Sequence, residues 1–137
     1  MSRLTRWLAP TTMARAHCDI PCGIYDPHGA EVAARTVARM VELIGGIDGT
    51  DAASHQKFER CVLVKEDHAE RVKREVQVIW SDYFKPEHLT AYPDLHDKVW
   101  NILKLASKNK QNIDADAAAQ LEAAVKEFSE IFWATKK

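Results

Sequence analysis

From Asp51 to Lys85 the chain runs without a glycine or a proline, and apolar residues recur through it at three- and four-residue spacings. Phe58, Val62, Ala69, Val72, Val76, Ile79, Trp80 and Tyr83 fall on one stripe. That period is helical, since a half-buried strand would alternate every second residue. One long helix is therefore expected here, and a helix with an apolar stripe must bury it against other helices. The turn Ile47-Asp48-Gly49-Thr50 precedes it, with Thr50 or Asp51 as its cap, and Pro86 stops it.

The neighbouring segments repeat the pattern. Val32, Ala33, Val37, Met40, Val41 and Ile44 predict a first helix beginning at His28 and ended by Gly45-Gly46. Pro86 and Pro93 bracket Glu87 to Tyr92 as a turn or single helical turn, each proline suiting a first helical position. Leu95, Val99, Ile102, Leu103 and Ala106 predict a third long helix ending near Ser107 to Lys110. A last one carries Asp114 and Asp116 at its start and Leu121, Val125, Phe128 and Phe132 along its stripe. With no strand signal and short connections, the fold class is all-α, an antiparallel four-helix bundle. At 137 residues and 46% apolar, one domain with one core suffices. Trp80, Trp100 and Trp133 are expected in the core or in subunit contacts, and Cys61 as a small buried hydrophobe. Lys65 lies near the stripe, and either a pairing with Glu66 or Glu70 or the steering of an anion would suit it.

Charge and composition exclude several roles. The net charge is -1 and no basic block with interleaved aromatics occurs, which gives no case for nucleic acid. No apolar run approaches the ~20 residues of a membrane span. Three cysteines make an odd set, so a disulfide framework is not indicated and a reducing, cytoplasmic setting is expected. Residues 1–16 show neither helical nor alternating period. Ala14-Arg15-Ala16 resembles a small-residue cleavage site, yet no apolar region of ~7 residues precedes it, so a secretory signal is not expected.

The chemistry concentrates between His17 and Pro27. Cys18 and Cys22 stand at C-x-x-x-C spacing, His17 directly precedes the first, and two prolines and a glycine make a stiff turn. Zinc would need further Cys or His pairs that the chain lacks at the usual spacing. If cleavage after Ala16 frees the His17 amine, then that amine, the Cys18 amide nitrogen and the Cys18 sulfur can chelate one metal through successive five-membered rings. The Cys22 sulfur completes an N2S2 square, with the His17 imidazole placed for an axial position. Such a set suits Ni(II) or Cu(II). A catalytic centre and a non-catalytic nickel or copper binding module both fit it.

The string His17-Cys18-Asp19-Ile20-Pro21-Cys22-Gly23-Ile24-Tyr25-Asp26-Pro27 resembles the nickel hook of nickel-containing superoxide dismutases. Trp80-Ser81-Asp82-Tyr83-Phe84-Lys85-Pro86 and Tyr92-Pro93-Asp94-Leu95-His96 are similar to two further segments of that family, and the similarity runs on to the C-terminal Phe132-Trp133-Ala134-Thr135-Lys136-Lys137. The resemblance implies conversion of superoxide to dioxygen and hydrogen peroxide, with one nickel ion per subunit cycling between Ni(II) and Ni(III). It implies His17, Cys18 and Cys22 as metal ligands. Asp19, Pro21 and Tyr25 would shape the hook and line the substrate approach, and Tyr83 and Lys85 would flank it. A cis peptide before Pro21, a homohexamer and a maturation protease that removes residues 1–16 are implied as well. The chain then divides into a leader (1–16) and a dismutase domain (17–137), made of a hook (17–27) and a bundle (28–137). Where actinobacterial members orient the axial imidazole with Glu and Arg, this sequence has Ala33 and His68. The support must differ, with His68 or a neighbouring subunit as candidates.

Overall fold

The computed structural model describes residues 23–136. All its regular elements are helical: α1 His28–Gly45, α2 Ala52–Val78, a π-helical turn Ile79–Tyr83, α3 Pro86–Ala91, α4 Leu95–Gln111 and α5 Ala115–Thr135. Three of the four long helices start where the sequence supplies a side-chain acceptor for otherwise unpaired amides. Asp26 Oδ1 takes the His28 N–H at 2.8 Å before α1. Asp51 takes the Ser54 N–H at 3.1 Å and Asp114 the Ala117 N–H at 2.9 Å, so both work as N-caps.

The four long helices pack in a ring, α1 on α2, α2 on α4, α4 on α5 and α5 back on α1. Cross-links fix the direction of α2 against α4. Lys65 meets Asn109, Lys73 Nζ lies 3.0 Å from Ser107 Oγ, and Trp80 Nε1 lies 2.8 Å from His96 Nδ1, so one helix rises as the other falls. The bundle is antiparallel, as the sequence predicts. Its centre is filled by Ile79, Leu95, Ile102, Leu121, Phe128 and Phe132, all fully buried. Burial of a side chain of this size contributes roughly 1.5–3 kcal/mol. On α1 the buried residues include Ala30, Ala33 and Ala34, whose small side chains let its neighbours approach closely.

Several details differ from the sequence reading. The long second helix does not run unchanged to Pro86. After Val78 it widens into the π-helical turn, where the Phe84 N–H reaches the Ile79 carbonyl five residues back at 3.3 Å. Pro86 opens α3 as expected, but Pro93 lies outside a helix because Asp94 is the residue before α4. Val32 and Phe58 are exposed although both fall on apolar stripes. Trp100 and Trp133 are also exposed, leaving the subunit-contact reading rather than the core one, whereas Cys61 is buried as expected.

Lys65 pairs with neither Glu66 nor Glu70. It is 1% exposed, and its ammonium donates to the carbonyls of Asn109 and, at 3.1 Å, Lys110 in the last turn of α4. The lysine thus caps a helix end from a neighbouring helix. Glu70 is held instead by Lys110, 2.8 Å away.

Candidate functional site

The start of α1, the π-helical turn after α2, α3, the start of α4 and the end of α5 share one end of the bundle. Here the described chain begins. Gly23 has φ +68°, a left-handed conformation that side chains with a Cβ rarely adopt, which suits a sharp change of direction directly after Cys22. Two residues on, Tyr25 is buried, 7% exposed, and its ring faces Tyr83 with centroids 5.8 Å apart and planes at 55°. Aromatic pairs in this range add about 0.5–1.5 kcal/mol beyond the area they bury. The segment after the proposed ligands is therefore anchored to the bundle by Tyr25.

Tyr83 is the hub of this end. Its ring packs on Phe132 at 4.5 Å, edge-on to Phe84 at 5.2 Å, and stacks on His88 at 5.5 Å and 15°. Its hydroxyl lies 2.9 Å from Thr135 Oγ1. The π-helical turn adds one residue to the helical repeat and sets Tyr83 toward the bundle axis. Lys136 holds its ammonium 5.8 Å over the Tyr83 ring and 5.3 Å over that of Phe132, within cation–π range. Lys85 is exposed at the start of α3, where its backbone N–H meets His88 Nδ1 at 3.1 Å. This end thus combines phenol groups, an apolar wall and two cations, an arrangement suited to a small anion.

The structure brings together Tyr25 and Tyr83, with Lys85 close behind in the chain. His17, Cys18, Asp19, Cys22, the peptide before Pro21 and the leader lie outside the described residues. His68 turns its ring onto its own helix, Nδ1 standing 2.8 Å from the Val64 carbonyl. It precedes Tyr83 by about 22 Å of helix at ~1.5 Å per residue, so one chain alone does not bring it to Tyr25. Ala33 is a buried methyl. Sequence reasoning missed Thr135 as the partner of Tyr83. It carries no local signal, because it acts on a residue 52 positions away in the chain.

The donor chemistry tests whether nickel fits. Two thiolates, an amine and an imidazole at His17, Cys18 and Cys22 form a soft nitrogen–sulfur set of the kind square Ni(II) favours. Among the described residues no group of three His, Cys, Asp or Glu side chains could hold a metal, so the bundle offers no competing centre there.

The sequence profile of the nickel-containing superoxide dismutase family matches residues 12–136. A protein of Streptomyces coelicolor named superoxide dismutase [Ni] is 39% identical over 134 residues, 98% of each chain. One of the same name from Streptomyces seoulensis is 37% identical over 134 residues, again 98% of each. Among solved structures, native nickel superoxide dismutase superimposes with a TM-score of 0.78 at 39% identity, covering 88% of this chain and 100% of that one.

Proposed function

The chain belongs to the nickel-containing superoxide dismutase family, and from that premise we propose that His17, Cys18 and Cys22 hold its nickel at the end of the bundle marked by Tyr25 and Tyr83. The protein is an oxidoreductase that turns two superoxide radicals and two protons into dioxygen and hydrogen peroxide, with nickel as cofactor. Membership decides between the two readings of the chelate in favour of turnover. When bound, nickel supplies a one-electron couple between Ni(II) and Ni(III).

The residues of the chain do the rest. Tyr25 fixes the ligand loop to the bundle and presents a phenol that can hydrogen-bond a small oxygen anion, with Asp19 shaping the same loop. Tyr83, Phe84 and Phe132 wall the site and keep bulk water from its bundle side. Lys85 and Lys136 offer positive charge to an approaching anion and raise its encounter rate. The observation that carries this reading is the burial of Tyr25 against Tyr83 three residues after Cys22.

Residues 1–16 form a leader whose removal by a maturation protease creates the His17 amine, because that nitrogen is part of a peptide bond until the chain is cut after Ala16. The mature chain assembles as a homohexamer in the cytoplasm. Trp100, at 62% exposed, and Leu63, at 67%, support assembly, since large apolar side chains left uncovered mark contact surfaces. Three cysteines without a disulfide framework support a reducing compartment. No helix of the described residues is long and apolar enough to cross a membrane.

Intact-mass analysis of the purified protein, with metal quantification and a superoxide assay, tests this reading. A chain starting at His17, about one nickel per chain and superoxide consumption are expected. A nickel-loaded, His17-initiated protein without dismutation would sink it.

A further inference from the structure

Two histidines grip the ends of the π-helical turn that carries Tyr83. At its start Trp80 Nε1 donates to His96 Nδ1 at 2.8 Å, and the two rings meet edge-on with centroids 5.6 Å apart. Just past its end the Lys85 backbone N–H donates to His88 Nδ1 at 3.1 Å, while the His88 ring stacks on Tyr83 and stands edge-on to Phe84. An indole N–H and a peptide N–H can only donate. Each imidazole must therefore offer a lone pair at Nδ1, so both rings are neutral and carry their proton on Nε2. His96 reaches the turn from α4 and His88 from α3, one on each side of Tyr83 in the chain.

We propose that His88 and His96 are positioning residues for Tyr83 and form an acid-sensitive clamp, each holding its end of the turn only while neutral. A proton on either Nδ1 sets two N–H groups against each other and frees that end. The charged groups around the rings are few. Lys85 and Asp97 line the clefts that His96 borders, with opposite signs, and the turn itself contributes Asp82, whose carboxylate takes the Ser81 hydroxyl at 3.1 Å. Lys85 and Glu87 flank His88 in the chain, and Lys136 from α5 holds its ammonium 5.8 Å over the same Tyr83 ring. Among the described residues the only histidine within ion-pair distance of a carboxylate is His68, so neither clamp ring gains a salt bridge in exchange for the bond it loses. Tyr83 faces Tyr25, and the clamp bears on the nickel end through the reading of Tyr83 as a wall of that site.

Nickel-loaded holoenzyme carrying nitrogen-15 histidine is compared as wild type, His88→Gln, His96→Gln and the double variant, by solid-state NMR and by amide hydrogen exchange. Glutamine keeps an acceptor oxygen but does not titrate, and at the third position of a helix it completes a capping box as His88 does here. The signals lost in each single variant identify the two rings. At about pH 8 both rings of the wild type are expected to show a bare Nδ1 and a protonated Nε2. Between about pH 8 and about pH 5, where imidazoles titrate, exchange of the 79–85 segment is followed after correction for its intrinsic pH dependence. It should quicken about 3- to 10-fold in wild type for each bond lost and stay level in the double variant. A proton on Nδ1 of either ring at the alkaline end overturns the proposal, and this measurement needs no variant that folds poorly, since neutron diffraction from wild-type crystals reads the same protons. An acid response equal in wild type and double variant overturns it too. Turnover enters none of these readouts, so failure of the clamp and failure of the ligand assignment are told apart.

Discussion

Tyr83 donates its phenolic proton to Thr135. The two oxygens lie 2.9 Å apart, and the single hydroxyl proton of Thr135 is already given to the Phe132 carbonyl at 2.6 Å, which leaves Tyr83 as the donor. The end of α5 therefore fixes the orientation of a residue 52 positions earlier in the chain.

Replacing Tyr83 with Phe removes this bond and keeps the ring against Tyr25. A loss of about 1 kcal/mol is expected in urea unfolding, with nickel content retained. Nickel loss in Tyr83→Phe would show that the hydroxyl, rather than the ring, anchors the ligand segment.

Phe132 is fully buried and touches the Tyr83 ring at 4.5 Å. Phe132→Ala should cost about 3–5 kcal/mol through the cavity it leaves. It should also loosen Tyr83, so near-ultraviolet circular dichroism from the tyrosines should weaken more than in a Phe128→Ala control of similar stability loss.

Burial pushes the Lys65 ammonium below its ordinary value of 10.5, against a smaller opposing influence of Glu66. The unfolded chain then holds this proton more tightly than the folded one, so stability rises with pH from the lowered folded value up to about 10.5. Lys65→Met should abolish that alkaline gain in a series of thermal melts. At neutral pH it should cost about 1–3 kcal/mol, because two carbonyls at the end of α4 lose their donor. A melting profile identical to wild type at high pH would refute the assignment.

The Ala117 N–H, and after it Lys108 at 3.3 Å, holds the Asp114 carboxyl below its ordinary value of 3.8. A depressed carboxylate contributes stability above that ordinary value and loses it as pH falls through the lower folded one. Asp114→Asn keeps a capping oxygen but cannot titrate. Its acid unfolding limb should be shallower than wild type, while Asp114→Ala should lower the midpoint at all pH values.

Nickel binding requires deprotonated thiols, amine and imidazole, so retention should fall steadily as pH drops. Equilibrium dialysis against buffers of decreasing pH measures it. A flat profile would contradict His17, Cys18 and Cys22 as ligands.

The four long helices were legible because each writes its buried side as a repeat within a few turns, as Ala69, Val72 and Val76 do on α2. Asp51 was legible locally as one of two candidate caps with Thr50, and Asp114 as a charge at a helix start, though not yet as a cap. Lys65 was not, since the carbonyls that receive it lie 44 and 45 residues away, and charge on a helix stripe looks alike whether solvated or buried. The Tyr83–Thr135 bond escaped for the same cause. The proposed metal ligands lie outside the described residues; they rest on the family resemblance and on two cysteines, a histidine and a possible new amine within six residues. Nothing in Ile79-Trp80-Ser81-Asp82-Tyr83 distinguishes a π-helical turn from an ordinary one, so the extra residue there had no written signal.

That extra residue acts as a phase shift in the chain. Residues on an α-helix advance about 100° each, so deleting one from Ile79–Tyr83 would leave α2 unchanged and rotate everything after it by that angle until Pro86 resets the direction. Trp80 now faces the groove beside His96 while Tyr83 faces Tyr25, two headings set within this one turn. Chain length within this turn is thus an inherited constraint: substitutions there can be absorbed one side chain at a time, but a single-residue deletion would turn Tyr83 away from Tyr25.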